Sequence, residues 1–275
     1  MPEGHVTHRN VRLQSAALGL GQPIGVSSPQ GRFREGAALL DGRSLEAMEA
    51  HGKHLFYHWE GDQRLHIHLG LIGKFQIHRG PAPTPTPNTR LVLRSDEATV
   101  FLAGPMICDV ITPDEEQAIR DDLGPDPISM PRRGHQFVER LLTKKVAVGA
   151  ALLDQSVIAG VGNVYRAELL FLSGIHPATP TNQLTEEAAM ALWKLTVVEL
   201  RRGVELGDIL TVKPRDIGVR SRIGLTREEG VYVYNRGDLP CHRCGTLVRL
   251  SEVGGRKMWH CPVCQPQHRP MDLPS

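Results

Sequence analysis

The sequence contains few cysteines, little net charge and no long apolar run, and each of these scarcities excludes a class of protein. Five cysteines in 275 residues do not make the disulfide framework of a small secreted protein. No apolar run approaches the ~20 residues that span a bilayer, so we expect no membrane segment. The first residues carry no basic and apolar secretory signal, which favours a cytoplasmic protein. The length suggests a globular chain of about two domains.

The net charge of +2 does not by itself indicate a nucleic-acid partner, but the charge is unevenly distributed. Residues 201–264 contain 12 Lys or Arg against 7 Asp or Glu. A local basic surface attracts phosphates, although an ordinary solvated surface has the same composition. Charge alone therefore leaves both interpretations open.

Residues 1–122 read mainly as β structure and are predicted to form an N-terminal β-sandwich or barrel domain. Short apolar stretches separated by turn residues predict strands at 55–59, 65–69, 74–78, 91–94 and 99–102. The proline-rich segment 80–88 cannot pair inside a sheet and predicts a surface loop. Because the remainder of the chain is helical in period, the predicted fold class is α+β.

Residues 123–134 are predicted to be a linker, and a helical domain is predicted at 135–235. Its expected helices are 136–142, 148–153, 163–172 and 185–202. Thr185, followed by two glutamates, is predicted to cap the last helix. The alternation at Tyr232 and Tyr234 is a strand pattern. Residues 236–264 are expected to form a zinc finger, and residues 265–275 a tail.

Four cysteines have the spacing of a structural zinc site. Two CxxC pairs, 16 residues apart, comprise Cys241, Cys244, Cys261 and Cys264. Four thiolates complete the tetrahedral shell of Zn²⁺ and leave no open position, so we expect one structural zinc ion. Gly254 and Gly255 lie between two β-like arms and predict a hairpin with Arg256 beside its tip. A guanidinium suits a phosphate there, but the spacing alone fits a solvated turn residue better.

The first residues hold a candidate nucleophile. If Met1 is removed, Pro2 becomes a free secondary amine, and the carboxylate of Glu3 follows at once. Such an amine attacks an aldehyde-like carbon to give an iminium, which is an electron sink. Proline is also an ordinary residue at the start of a helix, and the apolar spacing that follows predicts a helix here. On this segment alone, the structural interpretation is the commoner one.

Two glycines precede the predicted helix at Asn163. Gly160 and Gly162 let the backbone approach another molecule closely, and a glycine turn at a helix N-terminus binds phosphates. Asn163 is equally suited to be a plain N-cap. The segment lacks the third glycine, the acidic residue and the preceding strand of a dinucleotide site, so no nucleotide cofactor is expected.

Taken in order along the chain, these segments resemble the formamidopyrimidine-DNA glycosylase/endonuclease VIII (Fpg/Nei) family of DNA repair enzymes. The resemblance covers nearly the whole sequence. Residues 2–4 resemble the family's N-terminal catalytic signature, and residues 52–55 resemble the start of its lysine-bearing strand. Residues 153–165, closing at 174–177, resemble its helix–two-turn–helix. Arg256 resembles the arginine of its zinc-finger hairpin.

The sequence also departs from the family pattern. His5 and Val6 stand where a second acidic residue is common, which leaves the proton transfers in doubt. The Arg-Arg-Phe motif of the formamidopyrimidine branch is absent, and residues 104–108 stand in its place. Segment 68–73, which includes Leu71, offers only apolar candidates to fill the space left by an extruded base. The opening residues and this segment look closest to the actinobacterial endonuclease VIII-like group.

The resemblance implies a bifunctional DNA glycosylase and abasic-site lyase of base excision repair that removes oxidised bases, chiefly pyrimidines. It implies that Pro2 forms a Schiff base, that Glu3 transfers protons and that Lys53 assists, with strand cleavage by β,δ-elimination. The implied DNA contacts are Leu71, Gly162, Asn163 and Arg256. The expected partner of this monomer is damaged double-stranded or single-stranded DNA. The alternative is a zinc-containing protein that binds damaged DNA or RNA without cutting it.

Overall fold

The structure, a computed structural model, describes residues 2–267 of the 275-residue chain. The described residues form two compact units, which divide between Asp122 and Leu123. Among the described residues, no helix has both the length and the apolar character needed to cross a membrane.

The first unit combines three helices with two antiparallel sheets. Helices α1, α2 and α3 span Gly4–Leu18, Arg34–Leu40 and Pro113–Asp122. The sheet strands are β1 (Gln22–Pro23), β2 (Gly25–Ser27), β3 (Ser44–His51), β4 (His54–Trp59), β5 (Gln63–His68), β6 (Lys74–Arg79), β7 (Thr89–Arg94), β8 (Ala98–Ala103) and β9 (Ile107–Ile111). One sheet has the order β1-β3-β4-β5-β9, and the other has the order β2-β7-β8-β6.

The two sheets enclose one apolar core, which makes the first unit a β-sandwich. Leu55 and Leu65 of the five-stranded sheet belong to the same buried cluster as Leu93 and Leu102 of the other sheet. The predicted α+β class and the sandwich are therefore confirmed. Strands β4 to β8 lie where alternating apolar residues predicted them, whereas β3, β9, α2 and α3 were not predicted.

The second unit is helical and ends in a hairpin. Its helices are α4 (Gly134–Thr143), α5 (Val148–Ala151), α6 (Asn163–Leu172), α7 (Glu186–Leu206) and α8 (Arg227–Gly230), with 3-10 turns at Thr181–Gln183 and Pro214–Ile217. Strands β10 (Arg249–Val253) and β11 (Arg256–His260) form the hairpin. Thr185 caps α7 as predicted, since its hydroxyl accepts from Ala188 N at 3.1 Å. Buried side chains of the helices and of Met258 share one core, which joins the hairpin to the helices.

Two ends of the second unit are more firmly packed than the sequence suggested. In the predicted linker, Gly124 N donates to Gln155 O (2.8 Å), and the side chain of Asp126 is buried. Gln265 was predicted to begin the tail, but it is buried because its amide bridges two backbone segments. It accepts from Cys261 N (3.0 Å) and donates to Ile175 O (2.9 Å). Residues 268–275 lie outside the described residues.

The alternating residues 231–234 do not form the predicted strand. The amide N–H groups of Tyr232, Val233 and Tyr234 donate to the carboxylate of Glu168 at 2.7, 2.9 and 2.8 Å. A backbone whose successive donors all point to one carboxylate cannot also pair with a neighbouring strand. The prediction of a strand was wrong because the alternation of side chains indicates which residues are buried. It does not indicate where the backbone amides donate their hydrogen bonds.

Candidate active site and DNA-contact residues

The first residues lead directly into α1. Glu3 is the extended N-cap of the helix (φ −125°, ψ 179°), and its carbonyl accepts from Val6 N at 2.8 Å. Its side chain is fully buried, whereas Pro2 is half-buried.

The turn that carries Lys53 is hydrogen-bonded to the first turn of α1. The buried hydroxyl of Thr7 donates to Gly52 O (2.6 Å) and lies 2.8 Å from Gly4 O. Gly52 has φ 58° in the turn between β3 and β4, a backbone conformation that suits glycine. The structure thus holds the backbone beside Lys53 against the segment that follows Pro2 and Glu3.

Three imidazoles lie next to Lys53 on β4 and β5. His54 Nδ1 and His66 Nε2 are 2.8 Å apart, and the rings of His54 and His68 meet edge to face at 4.9 Å. Burial and the nearby His68 lower the pKa of His54 to about 3 and that of His66 to about 4. Burial, followed by the charge of Lys53, lowers the pKa of His68. These rings are therefore neutral at pH 7 and add no positive charge beside the lysine.

Leu71 lies in an exposed apolar group at one end of the sandwich. The loop between β5 and β6 exposes 65% of Leu71 and 79% of Ile72, and Met106 is 64% exposed. Met106 N donates to His68 O (2.8 Å), and a β-carbon on Gly70 would approach Met106 Cβ to 2.9 Å. Two loops therefore bring these side chains together. Met106 was not predicted from the sequence, because its exposure and its contact with the loop between β5 and β6 are visible only in the structure.

Asn163 and Gly162 lie at the N-terminus of α6. Gly162 is the extended N-cap and Asn163 is the first helical residue, so the interpretation of Asn163 as a plain N-cap is wrong. Instead, Asn163 Nδ2 donates to Lys257 O at 3.2 Å, which links α6 to β11. The preceding loop is organised by Gln155, whose Oε1 accepts from Gly160 N at 3.0 Å.

Arg256 lies beside the tip of the hairpin, as predicted. Val253 pairs with Arg256 across a two-residue turn, in which Gly254 and Gly255 have φ 63° and 70°. Two successive positive φ values are typical of a type I′ turn, which glycine adopts at little cost. The Arg256 side chain is exposed. A β-carbon on Gly254 would approach Ala150 Cβ to 2.9 Å, so the tip packs closely on α5.

The four zinc-type cysteines converge as predicted. Their sulfur atoms all lie within 4.8 Å of one another, with Cys241 Sγ 4.0 Å from Cys264 Sγ and Cys244 Sγ 3.5 Å from Cys261 Sγ. Tetrahedral Zn–S bonds of about 2.3 Å place sulfur atoms about 3.8 Å apart. The observed spacing therefore fits a four-coordinate zinc ion.

Another group of metal-type side chains is an ion-pair network. Glu49, His58 and Glu116 come within ligand distance of one another. However, Arg120 donates to Glu49 (2.8 Å) and to Glu116 (2.7 Å), and the Glu116 carboxylate also lies 3.4 Å from Arg64. Two guanidinium groups thus share these carboxylates and fasten α3 to the sheet.

Two buried residues of α6 were missed by the sequence analysis. Arg166 and Glu168 are its only charged residues, and both are fully buried. Glu168 accepts the three amides of residues 232–234 and the hydroxyl of Thr211. Burial raises the pKa of Glu168, an effect that these four hydrogen bonds oppose. The sequence feature that could have indicated their burial is the occurrence of two charged residues in an otherwise mainly apolar helix.

Comparison with known proteins gives one family. The formamidopyrimidine-DNA glycosylase N-terminal domain matches residues 1–105, and the formamidopyrimidine-DNA glycosylase H2TH domain matches residues 123–214. Endonuclease 8 1 of Mycobacterium tuberculosis is 40% identical over 270 residues, which cover 96% of this chain and 100% of that protein. Formamidopyrimidine-DNA glycosylase of Thermus thermophilus is 34% identical over 277 residues, with 96% and 97% covered.

A solved structure with the same fold is that of the Lactococcus lactis Fpg (MutM) bound to DNA containing N7-benzyl-Fapy-dG. It matches with a TM-score of 0.80 at 25% identity and covers 97% of this chain and 100% of its own. The fold, the cysteine cluster and these matches define a DNA glycosylase of base excision repair. The chain belongs to the formamidopyrimidine-DNA glycosylase/endonuclease VIII family, whose members are DNA glycosylases and abasic-site lyases. The family assignment made from sequence is confirmed.

Proposed function

We propose that this chain removes oxidised bases, chiefly pyrimidines, from damaged DNA and then cleaves the abasic strand. The observation that carries the proposal is the arrangement at the start of the first unit. Glu3 is fully buried beside Pro2, and Thr7 holds the turn of Lys53 against the same helical turn. This arrangement supports a nucleophile, a proton-transfer group and a cation acting together at one site.

Pro2 is the proposed nucleophile. After removal of Met1, its nitrogen attacks the deoxyribose C1′ and the bond between C1′ and the base breaks, with the base leaving with its electron pair. The substituted amine then loses its N–H proton, and the C1′–O4′ bond breaks as O4′ takes a proton, which leaves an iminium (a Schiff base) between Pro2 and the opened sugar. The helix dipole and Lys53 both disfavour the protonated amine.

Glu3 is the proposed proton-transfer group. It delivers a proton during opening of the sugar ring, and it assists the removal of the sugar protons that the iminium acidifies. Loss of those protons releases the 3′ phosphate and then the 5′ phosphate, which is β,δ-elimination. Hydrolysis of the iminium regenerates the amine.

The proposed DNA contacts hold the strand without reading its sequence. Arg256 and Asn163 bind phosphates next to the extruded nucleotide, and the glycine backbone at Gly162 lets a phosphate approach the N-terminus of α6. Leu71, with Ile72 and Met106 exposed beside it, fills the space that the extruded base leaves in the stack. The four cysteines hold one structural zinc ion, which fixes the hairpin that carries Arg256.

The proposed partner is damaged DNA, double-stranded or single-stranded, and the protein is expected to act as a cytoplasmic monomer without a nucleotide cofactor. Support comes from the Lactococcus lactis relatives, whose solved structures contain abasic-site and Fapy-dG DNA. The remaining alternative, a zinc-containing protein that only binds damaged DNA or RNA, requires that Pro2 never form a covalent bond.

Borohydride trapping separates these two functions. The protein is incubated with an oligonucleotide carrying one oxidised pyrimidine, and sodium borohydride reduces any iminium to a stable amine. We expect a covalent adduct that maps to the N-terminal peptide, and intact mass should show that Met1 is absent. An adduct on Lys53 would contradict the role of Pro2, and the absence of any adduct would favour the binder.

Glu3→Gln should uncouple base removal from strand cleavage. Attack on a pre-formed abasic aldehyde needs less proton transfer than removal of an intact base. Base excision should therefore fall by roughly 100-fold or more, while cleavage at abasic sites falls much less. Single-turnover rates on the two substrates make the comparison. Equal losses on both would argue that Glu3 serves the fold and not the chemistry.

A further inference from the structure

Arg166 is a fully buried arginine that joins four elements of the second unit. Its Nη1 donates to Gly149 O of α5 (3.1 Å) and Val253 O of β10 (3.0 Å). Its Nη2 donates to Lys257 O of β11 (2.9 Å) and to Asn163 Oδ1 at the start of α6. These acceptors are three backbone carbonyls and one side-chain amide. A single planar group therefore fixes several backbone positions relative to one another.

Three of these acceptors are directly related to the two proposed phosphate contacts. One belongs to Asn163 itself, and the other two belong to Val253 and Lys257, which flank Arg256. Val253 and Lys257 lie on either side of the glycine turn and Arg256, so the guanidinium joins both strands just below the tip. Because each carbonyl is held by a separate N–H group, the tip cannot rotate about the hairpin axis without breaking a hydrogen bond. The backbone direction from which the exposed Arg256 side chain leaves is thereby set.

The same guanidinium determines which end of the Asn163 amide faces outward. Asn163 Oδ1 accepts from Arg166, which leaves the nitrogen, with its two hydrogens, as the donor end. One of those hydrogens is used by Lys257 O. A phosphate accepts hydrogen bonds only, so the amide has the orientation that a phosphate contact needs.

An apolar side chain could fill the space of the Arg166 side chain without the cost of removing a charge from water. The presence of an arginine there therefore calls for a role beyond filling space. We infer that Arg166 is a positioning residue that aligns Asn163 and Arg256 for the same DNA strand. This inference rests on the proposed function, because it takes Asn163 and Arg256 as phosphate contacts. Arg166 itself is fully buried, so we expect its guanidinium to make no DNA contact.

The test is a double-mutant cycle with a matched control. Arg166→Lys keeps the charge and loses the planar fork, and Arg166→Met keeps most of the volume without charge. Arg140→Lys is the control, because Arg140 also donates to two backbone carbonyls, Leu123 O (3.0 Å) and Ser156 O (2.7 Å), on other elements of the same unit. Each is measured alone and with Arg256→Ala for binding to DNA containing a stable abasic analogue.

We expect Arg166→Lys to weaken binding roughly tenfold or more in the wild-type background and only a few-fold beside Arg256→Ala, since coupled sites are not additive. Arg140→Lys should change binding less than threefold. Hydrogen exchange of the amides of residues 253–257 should accelerate in the Arg166 variants, while zinc content stays at one per chain. If Arg166→Lys loses zinc or folds poorly, Arg166→Met at low temperature repeats the measurement.

Additive losses, or an equal loss in Arg140→Lys, would overturn the inference, because Arg166 would then act through general stability. A different result would contradict the proposed function. If Arg256→Ala and Asn163→Ala leave binding unchanged, those residues are not DNA contacts. Hydrogen exchange at 253–257 would still report whether Arg166 orders the hairpin, and unchanged exchange would reject its positioning role outright.

Discussion

The surroundings of Lys53 in the first unit and helix α6 in the second unit bury different kinds of polar side chain. In the first unit, the polar groups packed near Lys53 are mostly imidazoles, with His66 buried and His54 and His68 beside it. In the second unit, α6 buries an arginine and a glutamate, and each makes four hydrogen bonds. The imidazoles contact one another, whereas Arg166 and Glu168 mainly contact backbone.

This difference matches the tasks proposed for the two units. Neutral rings provide polar packing beside Lys53 without adding charge, so the positive charge that disfavours the protonated amine of Pro2 comes from Lys53 and the helix dipole. Irregular backbone in the second unit must be held in one geometry, and a guanidinium or carboxylate can satisfy several backbone groups at once. The buried polar side chains near Lys53 are thus distinguished by being neutral, and those of α6 by the number of hydrogen bonds that each makes to the backbone.

The largest expected effect is that of removing the metal from the second unit. A structural thiolate site contributes about 10–16 kcal/mol of apparent binding free energy, which the unfolded chain lacks. A chelator in mild denaturant should abolish amide protection at 236–264 while the sandwich keeps its protection, as read by hydrogen exchange. Elemental analysis should find one zinc per chain. Cys261→Ala should lose the zinc, and Cys108→Ala, the matched change in the first unit, should retain it.

The next effect is that of Glu168→Gln. An amide offers one acceptor oxygen where the carboxylate offers two, and its NH₂ group would face backbone N–H donors. Leaving a buried donor without its acceptor costs about 1–3 kcal/mol. Urea unfolding should report that loss, and the amides of residues 232–234 should exchange faster than in the wild type. Glu139→Gln changes an exposed glutamate on α4 and should leave both measurements unchanged; a similar loss there would remove the special role of Glu168.

The smallest expected effect is a pH dependence of the first unit. The pKa values of His54 and His66 are lowered in the folded state, so below pH about 6.5 the unfolded chain binds more protons than the folded one. Stability that is complete above that pH should begin to fall as the pH drops toward 4.

Unfolding followed between pH 7 and pH 4 checks the sign of this dependence. His54→Asn should flatten the acid slope, whereas His135→Asn, on an exposed position of α4, should leave it as it is. A slope that is identical in all three proteins would mean that other groups cause the acid destabilisation.

Periodicity and spacing predicted much of the fold and part of the candidate site. Strands β4 to β8, the long helix capped by Thr185, the glycine hairpin and the cysteine cluster all follow from local patterns, because each depends on neighbouring residues in the sequence. Met106 was missed for the opposite reason. It joins Leu71 and Ile72 only because two separate loops meet, and nothing in its own segment reports that contact.

Arg166 and Glu168 were not predicted because charged residues in helices are usually assigned to the exposed face. Their partners lie far away along the chain, at residues 253 and 257 for Arg166 and at residues 211 and 232–234 for Glu168. The same long-range contact explains the wrong strand at 231–234. Local patterns predict which residues are buried, but they do not identify a hydrogen-bond partner that the fold brings from elsewhere.

Glu168 also bears on how this protein can diversify. It holds residues 232–234 through their backbone amides, which every residue except proline possesses, and it holds the other side through one hydroxyl at Thr211. The attachment therefore places little demand on the side chains of the chain segment that leaves Thr211 and returns at Tyr232. The two ends of that segment are therefore fixed by backbone amides and one hydroxyl, whatever the side chains between them contact.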